Sequence, residues 1–145
     1  MSRTIGLSHF AIPVTDLERS AAFYKKYGEL DNVKRWDPDV VWLSDRLRPF
    51  HLVLLLVDKV DQPLKKPGHI GFICDSPGRV DELAALAKEE GCLADAPRDY
   101  GEKDSGGYHG LLFDPDGHSV EISHHQAAFY RPQWTPYFNE QEHCD

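Results

Sequence analysis

Residues 5–28 run IGLSHFAIPVTDLERSAAFYKKYG: a short apolar strand-like stretch bearing an imidazole, His9, and then an amphipathic helix that ends on glycine. Thr15 and Glu18 have capping-box spacing, in which each side chain satisfies a free amide of the first turn. Leu17, Ala21 and Tyr24 recur at helical spacing, Lys25 and Lys26 suit the negative end of the dipole, and Gly28 suits a left-handed stop. Strand-like segments follow at 32–37, 40–44 and 50–57.

After the linker DKVDQPLKKPG, residues 58–68, the order recurs. A strand at 69–74 begins with a second imidazole, His69. Ser76 caps a helix with Pro77 in its first position, apolar Val80, Leu83, Ala84 and Ala87, and a stop at Gly91. Strands are expected at 92–94, 107–113 and 118–123, the last two joined by the turn DPDG. The unit is therefore βαβββ, twice: module one over 4–57, module two over 69–123 and a tail over 124–145, in a single domain of 145 residues. Strands and helices each need one covered apolar face, which predicts an α+β fold with a curved eight-stranded sheet, both helices on one side and an open concavity on the other.

Composition narrows the function. A net charge of −8 and a pI near 5.4 oppose binding to a phosphate backbone, so no nucleic-acid partner is expected. Lys65 and Lys66 sit among prolines and suggest a solvated turn. No apolar stretch reaches membrane-spanning length, and the N-terminus lacks a secretory pattern, which predicts a cytoplasmic protein. Cys74, Cys92 and Cys144 show no CxxC spacing and are expected as reduced thiols, with Cys74 in the core.

Strand alternation divides each run into two faces. Phe10 and Ile12 lie opposite His9 and Ala11. Ile70, Phe72 and Cys74 lie opposite His69, Gly71 and Ile73, and Val120 and Ile122 lie opposite Ser119, Glu121 and Ser123. With the apolar sets against the helices, His9, His69 and Glu121 face the concavity. A lone strand histidine is more often a hydrogen-bonded structural residue than a ligand, and a lone glutamate often pairs with arginine. Matching faces of repeated elements favour a joint role. A carboxylate in a sheet interior is costly unless a cation compensates it. Two imidazoles and one carboxylate suit one divalent ion, Fe(II), Mn, Zn, Ni or Co, with positions left open for substrate. His51 holds in module one roughly the place of Glu121 in module two, and two roles suit it: a fourth ligand, or an acid/base beside the metal. His109 shares a face with Leu111 and Phe113 and is a candidate pocket residue. His118, in a turn, and His124, His125 and His143, in or beside the tail, are expected to be solvent-exposed. The glycines of SGGYHG suggest a flexible segment.

Three stretches, LSHFAIPVTDLERSAAFYKKY, PGHIGFICDS and LLFDPDGHSVEIS with its DPDG-x-x-x-E ending, together resemble the vicinal oxygen chelate superfamily, which includes glyoxalase I, bleomycin- and fosfomycin-resistance proteins and extradiol dioxygenases. The resemblance covers about residues 4 to 123. It implies paired βαβββ modules around a metal-bearing cup, with ligand positions at His9, His69 and Glu121 and with His51 at the position that varies among members. Histidine there resembles the dioxygenases and gives a slight preference for extradiol ring cleavage, with His51 as the catalytic acid/base. Against this, the dioxygenase tyrosine ten positions before the glutamate is Leu111 here. The alternatives are a glyoxalase I-like lyase or isomerase, and a non-catalytic drug- or metabolite-binding protein; fosfomycin-type thiol transfer ranks low for want of a phosphonate-binding cluster. A small-molecule substrate and, by resemblance alone, a homodimer are expected. The tail carries Phe129, Tyr130, Trp134, Tyr137 and Phe138, which predicts that it packs on something.

Overall fold

The computed structural model describes residues 4, 6–47, 49–101 and 107–125. The expected packing of the aromatic tail, the exposure of His143, the state of Cys144 and the first glycine of SGGYHG lie outside them. The chain divides into two compact units, 1–60 and 61–145, so that most of the expected linker belongs to the second. Each unit is βαβββ, and the strands form two separately hydrogen-bonded mixed sheets of four, ordered β1-β4-β3-β2 and β5-β8-β7-β6. The single eight-stranded ladder expected from the sequence is thus divided. In each unit the helix carries the chain across, and the first strand lies parallel beside the last, β1 on β4 and β5 on β8, which completes strand pairing within the module.

In the first unit, β1 (His9–Val14), α1 (Leu17–Gly28), β2 (Asp31–Asp37), β3 (Val40–Ser44) and β4 (His51–Leu56) follow in order. Ile12, Val14, Val41, Leu43, Leu52 and Leu54 are buried on one sheet face, and α1 packs against β2, β3 and β4. The helix buries Leu17, Ser20, Phe23, Tyr24 and Tyr27, a stripe centred one residue away from the Ala21 expected from spacing. Phe23 meets Tyr24 edge-on at 5.2 Å and Tyr27 at 4.7 Å, so aromatic contact sets the stripe. Phe10, expected in the core, is 44% exposed at the start of β1. Both helix ends differ by one residue from expectation. Asp16, not Thr15, is the N-cap, accepting from the Arg19 amide at 3.0 Å, and Glu29, not Gly28, takes the left-handed position with φ 53°.

The second unit contains β5 (Ile70–Ile73), α2 (Pro77–Glu89), β6 (Leu93–Asp99), β7 (Tyr108–Phe113) and β8 (Ser119–His124). Ser76 caps α2 through the Arg79 amide with Pro77 at the first turn, as expected, and Gly91 is left-handed just past the helix end. Val80, Leu83, Ala84 and Ala87 are buried with Leu112, Val120, Ile122 and Cys74. Strand β6 runs five residues beyond expectation. It is an edge strand with register shifts at Leu93–Asp95 and at Asp95–Arg98, the second spanning Pro97, which is where a sheet tolerates proline. The Tyr108 hydroxyl donates to Asp81 Oδ1 at 2.6 Å, tying β7 to α2; this bond, then desolvation and the carboxylate charge, raises the phenol pKa above 10.0. Cys74 and Cys92 are free thiols, and among the described residues no helix is long and apolar enough to cross a membrane.

The DPDG turn is more than a connection. Asp114 Oδ1 accepts the amides of Asp116 at 2.9 Å and His118 at 2.8 Å. His118, expected in solvent, is only 1% exposed, and its Nδ1 accepts the Leu64 amide at 2.9 Å. His124 also departs from expectation: it closes β8, half-buried, with Nδ1 3.1 Å from the Cys74 carbonyl oxygen. Gly107 enters β7 at φ +54°, and a Cβ there would lie 2.6 Å from the His124 carbonyl oxygen. Since that obstacle is backbone and the conformation disfavours an L side chain, Gly107→Ala should lose about 2–3 kcal/mol in urea unfolding; a loss under about 0.5 kcal/mol would mean that the strand end shifts freely.

Candidate metal centre

In the second unit the parallel register sets Glu121 opposite Gly71 on β5, and the antiparallel register sets it opposite Leu111 on β7. His69 stands one residue before β5 on the same face as Gly71, and His109 lies two residues before Leu111. Alternation thus gathers both imidazoles about one carboxylate. Nε2 of His69 is 3.4 Å and Nε2 of His109 3.8 Å from Glu121 Oε2. The Glu121 side chain is 17% exposed, so its charge is largely withdrawn from water.

The other nitrogen of His69 decides what this contact means. Nδ1 lies 2.9 Å from the Pro67 carbonyl oxygen, which can only accept, so Nδ1 carries the proton. In the neutral ring Nε2 is then bare and aims a lone pair at a carboxylate oxygen. Two electron-pair donors face each other stably only with a cation between them, either a metal ion or a second ring proton. A backbone carbonyl fixing one nitrogen while the other faces an acidic ligand is the usual arrangement around a metal-bound histidine, so the donor set fits a divalent ion.

A cavity of about 240 Å³ opens beside this pair, lined by Lys66, Pro67, His69, Asp95, Tyr100, His109, Gly110, Leu111 and Glu121. Tyr100 stacks on His109 at 3.9 Å with the rings 5° from parallel, and the Arg98 guanidinium lies over the outer face of Tyr100 at 4.4 Å. Lys66, expected in a solvated turn, reaches Asp95 at 3.0 Å on the cavity wall. Neither Tyr100 nor Lys66 was legible as a pocket residue, because each belongs to a segment without periodicity. The SGGYHG segment partly resolves into β7, where His109 is the pocket residue expected.

In the first unit, His9 and His51 are direct partners across β1 and β4. Trp42 of β3 touches both, 5.2 Å from His9 and 5.4 Å, edge-on, from His51, and Trp36 meets Trp42 at 5.6 Å. Arg35 instead bonds Glu18 of α1 at 2.7 Å, on the helix side. The tryptophans therefore belong with the imidazoles, an assignment the sequence left open. Ser8 Oγ lies 2.8 Å from His9 Nδ1. Each unit thus brings together its own donors, His9 with His51 and His69 with Glu121. Among the described residues, no group of three or more His, Cys, Asp or Glu side chains is arranged to hold a metal ion.

Known proteins are similar to this chain in sequence and in fold. A curated protein of Pseudomonas aeruginosa, the uncharacterized protein PA2024, is 32% identical over 127 residues, covering 83% of this chain and 89% of its own. A solved structure of a possible glyoxalase from Bacillus cereus is 25% identical, with TM-score 0.67 over 83% of this chain and 99% of that one. A glutamate-to-glutamine variant of the fosfomycin resistance protein FosX from Listeria monocytogenes, complexed with Mn(II) and 1S,2S-dihydroxypropylphosphonic acid, shares the fold at 19% identity, with TM-score 0.67 over 93% and 99% of the two chains. The sequence profile of the glyoxalase/bleomycin resistance protein/dioxygenase superfamily matches residues 6–122, and with both βαβββ units present the chain belongs to that superfamily.

Proposed function

We propose that this protein is a divalent-metal-dependent enzyme acting on a small substrate through two neighbouring oxygen atoms, with His9, His69 and Glu121 as protein ligands. The observation that carries the reading is the His69 ring, whose Nδ1 is held by the Pro67 carbonyl while its Nε2 faces the Glu121 carboxylate at 3.4 Å. The bound ion would supply Lewis-acid stabilisation of negative charge developing on the substrate oxygens. His51, beside His9 and against the Trp42 edge, is the residue assigned to move a proton at the substrate. Leu111 and the Tyr100 ring give the cavity an apolar side against which a substrate can pack. A homodimer is part of this reading, and rests on the family resemblance alone.

Two reactions suit such a centre. His51 favours extradiol ring cleavage. Leu111, 8% exposed beside Glu121 where the dioxygenases carry a phenol, favours a glyoxalase I-like lyase or isomerase. Protein purified without chelator should contain about one divalent metal per chain. Oxygen consumption with catechols on Fe(II)-loaded protein supports cleavage, and anaerobic hemithioacetal turnover on Zn- or Ni-loaded protein supports the lyase. Ligand binding without stoichiometric metal would overturn the enzyme reading in favour of a metabolite-binding protein.

A further inference from the structure

We propose that His118, which is not among the residues lining the cavity, is a positioning residue for His69. It acts through the 63–68 segment. His118 Nδ1 accepts the Leu64 amide at 2.9 Å, across 54 positions of sequence, and the Leu64 carbonyl accepts the Ser119 amide at 2.7 Å. Leu64 is therefore held at both its polar atoms on the start of β8, the strand that carries Glu121. From this anchor the chain turns tightly. The Gly68 amide donates to the Lys65 carbonyl at 2.9 Å, and a Cβ at Gly68 would lie 2.9 Å from Leu64 Cδ1. Pro63 packs 3.8 Å from where a Cβ of Gly117 would stand, on the turn that begins with Asp114. The turn ends on the Pro67 carbonyl, which takes the His69 Nδ1 proton at 2.9 Å.

A continuous path thus leads from a buried imidazole to the tautomer of an exposed one. An amide can donate to His118 Nδ1 only while that nitrogen is bare, so His118 works here as a fixed acceptor. The path predicts that asparagine, whose Oδ1 sits at the same remove from Cβ as Nδ1, substitutes for His118, whereas leucine fills the space and leaves the Leu64 amide unpaired. The positioning itself does not depend on a bound ion; its consequence for affinity rests on the metal reading above.

The test uses the full-length protein, His118→Asn and His118→Leu, with two readouts. Heteronuclear NMR of the ring nitrogens in metal-free protein should show His69 Nδ1 protonated and hydrogen-bonded in the parent and in His118→Asn, with that signature lost in His118→Leu. Titration with Co(II) should show an affinity 10–100-fold weaker, in order of magnitude, for His118→Leu, and within about threefold of the parent for His118→Asn. If His118→Leu does not fold, Leu64→Pro removes the same hydrogen bond from the donor side and is read in the same way. An unchanged His69 signature in His118→Leu, or equal losses in the leucine and asparagine variants, overturns the proposal. A parent that shows the NMR difference but does not bind Co(II) upholds the positioning role and overturns the metal reading.

Discussion

Replacing His69 by alanine is expected to weaken divalent-metal binding by more than about 100-fold, beyond the 10–100-fold typical of residues that only orient a ligand. A 100-fold change corresponds to about 2.7 kcal/mol of binding free energy. The folded state should barely register the change, because the His69 side chain is 39% exposed and its own hydrogen bond is to a neighbouring loop carbonyl. Affinity and stability therefore separate. Glu121→Gln probes the same contact from the other side. It preserves shape while removing the charge that faces Nε2, and should weaken Co(II) binding comparably. His9→Ala tests the first unit's contribution, with the same loss expected. Elemental analysis of protein purified without chelator, together with Co(II) titration and urea unfolding of each variant, measures both quantities. Metal content equal to that of the parent in His69→Ala would remove His69 from the centre, whatever its distance from Glu121.

The sequence made the repeat legible because both strands and both helices obey simple periods. Ile12, Val14, Leu52 and Leu54 alternate on one face and are buried, and Val80, Leu83, Ala84 and Ala87 recur at helical spacing and are buried. The same alternation put Glu121 on the face of His69 and His109, which the strand registers reproduce. What escaped were features set by long-range hydrogen bonds, which leave no local period. His118 reads as a polar residue following Gly117 in a turn, whereas the Leu64 amide that its ring accepts, far away in sequence, holds it inside. Strand β6 extends beyond its expected end because an edge strand accepts both Pro97 and the charges around it, a composition that in sequence resembles a loop. The division into two sheets was hidden for another reason. Eight strand signals do not say where a ladder closes, and the parallel pairings of β1 with β4 and of β5 with β8 end each ladder inside its own module.

Asp114→Ala is expected to cost about 2–4 kcal/mol of folding stability. Its carboxylate is 4% exposed and its Oδ1 accepts two amides, from Asp116 and His118. Hydrogen bonds to a charged acceptor contribute roughly 1.5–3 kcal/mol each, but the Asp116 amide is only partly buried and regains water when the carboxylate is removed. The His118 amide has no such recourse in its buried setting, so it sets the lower bound of the estimate. Asp114→Asn keeps an oxygen in place without the charge and should lose about half as much. The backbone bonds of the turn, Asp114 amide to His118 carbonyl and Gly117 amide to Asp114 carbonyl, survive in both variants, so the β7–β8 hairpin persists with a weakened end. Because His118 is anchored by this carboxylate and in turn holds Leu64, the alanine variant should also weaken Co(II) binding, whereas the asparagine variant should not. Urea unfolding monitored alongside Co(II) titration distinguishes the two effects. A loss below about 1 kcal/mol for Asp114→Ala would show that the turn is held by its backbone alone, and would remove the carboxylate from the path that leads through His118 to His69.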